Sequence, residues 1–136
     1  MYTVTRLIHF CYGHRLLDYA GKCRHLHGHN GRAVITLAAA TLDELGMVMD
    51  FSCLKRVVGG WIDETLDHKM LLHKDDPVLP FLRQQGEPVY VLDVNPTAEN
   101  IARLLFEFTA AQGFPVVEVK LWETETCYAC YSAPRT

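Results

Sequence analysis

The sequence contains no stretch of about 20 consecutive apolar residues, the length a membrane-spanning helix requires, although 49% of its 136 residues are hydrophobic. It also lacks a long basic run. Thirteen Lys and Arg are outweighed by 16 Asp and Glu, for a net charge of −3, and phosphate binding relies on clustered cations, so nucleic acid is not the expected main partner. The opening residues, MYTVTRLIHF, place Arg6 within an alternating pattern and lack the unbroken apolar centre and small-residue cleavage site of an export signal, so the expected location is the cytoplasm. The cysteine count is odd, at five. In such a chain these read as reduced thiols rather than a disulfide framework. No internal repeat, linker or low-complexity tract interrupts the chain. A single domain over 1–136 is expected, burying roughly two-thirds of the surface its unfolded chain exposes and needing no covalent staples.

What is present is ordered by pattern. Tyr2 to Cys11 alternate in part, with Tyr2, Val4, Ile8 and Phe10 on one parity, which predicts a half-buried strand. A second β-rich run covers Arg32 to Thr41. Between them lies the polar segment Gly13 to Gly31, with four of the seven histidines. Asp50 is a predicted N-cap, followed by Phe51, Leu54, Val57, Val58, Trp61 and Ile62 at helical spacing. Gly59-Gly60 weakens this helix by about 1 kcal/mol per glycine relative to alanine. A second helix is expected to start at Thr97, with Glu99 in its first turn, and to stop at Gly113-Phe114-Pro115. Strands follow at Val116 to Thr124 and about Cys127 to Ser132. Lys69 to Asn95, with its Asp-Asp-Pro, Gly-Glu-Pro and Asn-Pro turn signals, reads as a long excursion with little regular structure. The expected fold is α+β, order ββααββ: a four-stranded antiparallel sheet with two helices on one face. Its open edges favour assembly into a homo-oligomer.

The histidines suggest chemistry. In Leu26-His27-Gly28-His29-Asn30 two imidazoles stand two residues apart, on the same face if the segment is extended. Adding His14, at the end of the first strand, gives three imidazoles, the ligand set of a zinc site that keeps a fourth position open. The competing reading is a set of solvated loop histidines. Cys23, four residues before His27, reads as a base or nucleophile, as an inert buried thiol, or as a fourth ligand that would close the site. Asp67-His68 reads as a proton shuttle in which the carboxylate fixes the imidazole's tautomer, or as a surface pair at a helix end. Glu123 continues the face of Val117, Val119 and Leu121, so its carboxylate either finds donors, such as two N–H groups of a planar ligand, or lies at a frayed strand end. Cys127 and Cys130 read as structural, because no second Cys pair completes a zinc knuckle. His9, His25 and His73 have no assigned partner.

Taken together, Gly13-His14-Arg15-Leu16, Lys22-Cys23, Leu26-His27-Gly28-His29-Asn30, Met49-Asp50-Phe51, Leu66-Asp67-His68, Asn95-Pro96-Thr97-Ala98-Glu99-Asn100 and Trp122-Glu123-Thr124 resemble, in order and over nearly the whole chain, the 6-pyruvoyl-tetrahydropterin synthase and 6-carboxy-tetrahydropterin synthase family. The resemblance implies the tunnelling fold (T-fold), with three subunits joining sheets into a barrel and two trimers stacking into a hexamer. It implies Zn2+ on His14, His27 and His29, Cys23 as the catalytic thiol, and Asp67 and His68 reaching the site from a neighbouring subunit. It further implies Glu123 as the pterin anchor, with Thr97 and Glu99 lining the pterin pocket.

The implied substrate is 7,8-dihydroneopterin triphosphate, with Arg15, Lys22 and Arg24 as candidates to offset the triphosphate charge. Of two product branches, the favoured one releases triphosphate and acetaldehyde to give 6-carboxy-tetrahydropterin, on the way to queuosine and other deazapurines, because the chain resembles the bacterial members. The alternatives are a 6-pyruvoyl-tetrahydropterin synthase of the biopterin pathway and a non-catalytic, zinc-containing pterin-binding oligomer. A Cys-His-Asp hydrolase is disfavoured, since no nucleophile elbow is present. Two features depart from the family pattern: Gly13, where many members carry alanine, and the longer excursion from Leu71 to Val94.

Overall fold

The computed structural model of the chain describes residues 1–134. Two long strands, β1 (Tyr2–His14) and β2 (His27–Ala39), are followed by a helical stretch made of α1 (Phe51–Leu54), a π-helical turn (Lys55–Gly59) and α2 (Gly60–Thr65). Then come β3 (Lys69–His73), α3 (Leu79–Gln84), β4 (Val89–Leu92), α4 (Ala98–Ala111), β5 (Val116–Trp122) and β6 (Tyr128–Ser132). The sheet has six strands in the order β4-β3-β1-β2-β5-β6. From β1 to β6 its pairings are antiparallel, whereas β3 lies parallel to β1 and β4 parallel to β3.

The expected four-stranded sheet in the order ββααββ is therefore corrected: four antiparallel strands are extended by two parallel ones from the supposed excursion. Met70-Leu71-Leu72 and Val89-Tyr90-Val91-Leu92 are short continuous apolar runs, which carry no alternation to announce a strand. Leu71 and Leu72 are fully buried, and Leu92 is 8% exposed. That two-sided burial is what parallel strands under a crossover experience. A third, short helix, α3, also lies in this segment.

Both predicted helix starts match the structure. Asp50 accepts a hydrogen bond from the Ser52 N–H at 2.9 Å, and Thr97 Oγ1 accepts one from the Asn100 N–H at 3.2 Å. Gly59-Gly60 does not interrupt the first helical stretch; both residues are right-handed helical, and Gly59 is buried toward Ile8.

The core lies on one face of the sheet. Ile8, Phe10 and Tyr12 of β1, Ala33, Ile35 and Leu37 of β2, and Val119 and Leu121 of β5 pack with Leu54, Val58, Ile62, Ile101 and Leu105 of the helices. Each such aliphatic side chain contributes about 1.5–3 kcal/mol through burial. Trp61 stacks on Phe108 at 4.2 Å and 12°, tying the two helical segments together. A bulge displaces one expected core residue. Thr36 pairs with Glu118 but Leu37 pairs with Val116, so Val116 is buried and Val117 is 41% exposed.

Candidate active site

Strand register builds the histidine cluster. In the β1–β2 ladder His14 lies opposite His27 and Tyr12 opposite His29, and strand alternation turns all four toward the core face. The polar segment is thus extended from His27, where β2 begins, as the same-face reading of His27 and His29 requires. Gly28 fits a close approach, since a Cβ there would lie 3.1 Å from the Tyr12 carbonyl oxygen. One ring nitrogen from each of His14, His27 and His29 lies within 4.8 Å of the others. A carbonyl only accepts, so the 2.7 Å contacts of His14 Nδ1 to Pro96 O and of His27 Nδ1 to His25 O make both Nδ1 atoms donors and leave both Nε2 atoms as lone-pair bearers.

His27 Nε2 is buried without a hydrogen-bond partner. His14 Nε2 and His29 Nε2 stand 3.1 Å apart, a separation at which both can reach one ion at about 2.0–2.1 Å. Burial lowers the pKa of His14 and of His29, favouring the neutral imidazoles that bind metal. The three residues therefore fit a divalent metal ion by donor type, tautomer and an otherwise orphaned nitrogen.

Beside His14 opens a cavity of about 350 Å³ whose wall includes Cys23, Thr97, Glu99 and Glu123. Two loops meet there. The Leu16 N–H donates to Cys23 O at 2.8 Å, and the Asn95 side chain brackets Leu17, donating to its carbonyl at 2.9 Å and accepting from its N–H at 2.8 Å. Cys23 sits in a 3-10 turn, Lys22–Arg24, and is half-buried. Glu123 lies just past the end of β5, half-buried rather than free in solvent. It accepts a hydrogen bond from the Tyr12 hydroxyl at 3.2 Å, and its Oε1 lies 3.7 Å from His14 Nε2. Burial, reinforced by the Glu123 charge, raises the Tyr12 pKa and keeps the phenol a donor.

Asp67 and His68 form a pair, His68 Nδ1 to Asp67 Oδ2 at 2.8 Å, but away from this cavity. Cys11 at the edge of β1 holds it, with its N–H donating to Asp67 Oδ1 at 2.8 Å and its carbonyl accepting from the His68 N–H at 2.7 Å. His68 is left-handed, with φ of 59°. Desolvation opposes ionisation of Asp67, but the Cys11 N–H, His68 and Lys69 outweigh it and hold the carboxyl below its usual range. His68 lines a second, 620 Å³ cavity with His27, His29 and Lys69, and Cys23 is not part of that wall.

Among the charge candidates, Arg15 is committed to Asp76, donating from Nε at 2.7 Å and from Nη2, while Lys22 and Arg24 are exposed. Of the unassigned histidines, His25 offers its carbonyl to His27, His73 accepts from the Asp75 N–H, and His9 is exposed.

Residues 3–134 match the 6-pyruvoyl tetrahydropterin synthase family. The chain belongs to that family. Its relatives include the 6-carboxy-5,6,7,8-tetrahydropterin synthase of Rickettsia bellii, 42% identical over 135 residues that cover 94% of this chain and 98% of the other. The enzyme of the same name from Aquifex aeolicus is 34% identical over 123 residues, covering 81% and 75%. Among solved structures, an uncharacterized protein from Wolinella succinogenes superposes with a TM-score of 0.83 at 28% identity over 98% of both chains. The 6-pyruvoyl tetrahydropterin synthase of Caenorhabditis elegans does so with a TM-score of 0.73 at 25% identity, covering 98% and 96%. The α+β tunnelling fold is thus shared with structures of this family, and here it carries a mixed six-stranded sheet.

Within this family member, several site residues were not singled out from the sequence. Tyr12 was one, because the first strand was expected to end at Cys11; continuing the parity of Ile8 and Phe10 would have placed Tyr12 and His14 on the core face. The carbonyls of His25 and Pro96 carry no sequence signal of their own. Cys127, expected to be structural, is exposed and on the wall of the 350 Å³ cavity, with Sγ 3.0 Å from Thr124 Oγ1.

Proposed function

We propose that this chain is a zinc-dependent 6-carboxy-5,6,7,8-tetrahydropterin synthase that converts 7,8-dihydroneopterin triphosphate to 6-carboxy-tetrahydropterin with release of acetaldehyde and triphosphate. The observation that carries this reading is the cluster of three imidazole nitrogens within 4.8 Å, one of whose members, His14, shares a cavity wall with Cys23 and Glu123. The names of the relatives from Rickettsia bellii and Aquifex aeolicus support the carboxy product.

His14, His27 and His29 would hold the ion, which supplies Lewis-acid polarisation of ligand oxygens when bound. Glu123 accepts two N–H groups from the edge of the pterin, fixing the ring, while Thr97 and Glu99 bound the pocket. Cys23 as thiolate removes a proton from the substrate side chain. As the family resemblance implies, Asp67 and His68 are assigned to a neighbouring subunit's site: His68, with Nδ1 held by Asp67, returns a proton through Nε2. This assigns the chain a homo-oligomeric state, a hexamer of two trimers, and a place in deazapurine synthesis in the cytoplasm.

The test is incubation of zinc-loaded protein with 7,8-dihydroneopterin triphosphate while triphosphate and acetaldehyde are both followed. Release of both is expected. Triphosphate alone would make it a 6-pyruvoyl-tetrahydropterin synthase, and release of neither would leave a pterin-binding protein.

A further inference from the structure

We propose that Tyr12 is a positioning residue that holds the Glu123 carboxylate for the pterin and away from the imidazole cluster. The proposal rests on the reading of this cavity as a pterin site and adds a residue to it.

Three observations carry it. Tyr12 is 2% exposed, and its ring is fixed on several sides: stacked with Phe10 at 5.3 Å, edge-on to His14 at 5.2 Å and tilted against His29 at 5.7 Å. Next, Gly31 on the neighbouring strand leaves the space the ring occupies. A Cβ at Gly31 would come within 2.8 Å of Tyr12 Cε1 and 3.3 Å of Cδ1, so the tyrosine and the glycine form a matched pair. Finally, the hydroxyl delivered by this seat donates to Glu123 Oε1 at 3.2 Å, the same oxygen that stands 3.7 Å from His14 Nε2.

A carboxylate so close to three imidazoles has a competing use, because Asp and Glu oxygens are themselves metal ligands. If Glu123 turned onto the cluster, the open position would close and the pterin would lose its anchor. The phenol prevents this by giving Oε1 a donor of its own. Among the described residues Oε2 has no hydrogen-bond partner, which leaves acceptor capacity for a ligand N–H. Among the described residues the hydroxyl's hydrogen-bond partner is Glu123, so its effect passes through that carboxylate.

Tyr12→Phe tests this with least disturbance, since the ring and its fit over Gly31 remain. Neopterin, which has no triphosphate to eliminate, serves as the binding probe. The wild-type protein is expected to bind it, and Tyr12→Phe to bind it about tenfold more weakly, within the range for loss of a hydrogen bond to a charged group. Zinc content and melting temperature should be unchanged. In turnover, KM for 7,8-dihydroneopterin triphosphate rises by a similar factor while kcat falls less, the signature of binding lost equally in ground and transition state. The fall in kcat/KM should disappear when Tyr12→Phe is made in a Glu123→Ala background. Neopterin affinity within twofold of wild type would overturn the proposal, as would an equal kcat/KM loss in both backgrounds or loss of zinc from Tyr12→Phe. Failure of wild-type protein to bind neopterin would overturn the pterin reading together with it, so the two failures are distinguishable.

Discussion

The carbonyls of His25 and Pro96 decide which nitrogen of His27 and His14 carries a proton, and the site's chemistry follows from that choice. His27→Ala should lower bound zinc below one ion per chain, read by metal analysis; full stoichiometry in that variant would sink the three-histidine site. Cys23→Ala should keep its zinc while losing turnover by about 10²–10⁴-fold, the usual worth of a positioned base. Loss of metal instead would make Cys23 a ligand. Asp76 gives a test of stability. It is 2% exposed, and the hydrogen bonds from Arg15 outweigh burial and hold its carboxyl below the usual range. A folded value below the unfolded one near 4 means the pair stabilises fully above that pH and loses its contribution as pH falls through the folded value. Asp76→Asn should therefore cost about 2 kcal/mol at pH 7 by urea denaturation, with the difference from wild type shrinking below about pH 4. Much at this scale was legible beforehand. His-Gly-His can place its imidazoles together only when extended, and Glu123 at the end of an apolar parity is conspicuous. Tyr12 was hidden because its significance lies in a neighbour on another strand.

Helix caps read well from the chain because Asp50 and Thr97 act on N–H groups two and three residues away. Pairing choices read poorly. Val117 was assigned inward by simple alternation, but the bulge is a property of how β5 meets β2. β3 and β4 went unseen because each is an apolar run of a few residues whose role depends on lying beside β1. Gly60 also illustrates the limit. Its residue type suggested a weak point, yet its backbone is an ordinary α turn and a Cβ there would meet nothing within 4 Å. Gly60→Ala should thus raise stability by about 0.5–1 kcal/mol, measured as an increased urea midpoint.

For the whole molecule, Cys23 stands on a cavity wall with His14, and His68 on another with His27 and His29, so the assignment of His68 to a neighbouring copy is a question of assembly. Among the described residues β3 pairs β1 only at Tyr12–His14, leaving the Tyr2–Phe10 edge of β1 and the outer edge of β6 open to other copies. If each active centre draws Cys23 from one chain and His68 from the next, Cys23→Ala and His68→Ala are each inactive alone. An equal mixture, after subunit exchange, should regain roughly a quarter of wild-type activity, because closed symmetric assemblies repeat one interface. No recovery would place both groups in one chain's site. The two carbonyls that orient His14 and His27 have one more consequence. They belong to backbone held by the Lys22–Arg24 turn, where the His25 N–H donates to Lys22 O at 3.1 Å, and by the Asn95–Leu17 bracket, and the apolar core is assembled from other side chains. Metal would then be captured by a finished fold, unlike the small zinc domains whose folding is their metal binding. A chelator should remove the ion and leave the far-ultraviolet circular dichroism intact. Which ion the chain carries would be settled after folding, by the geometry of the three imidazoles and by local supply.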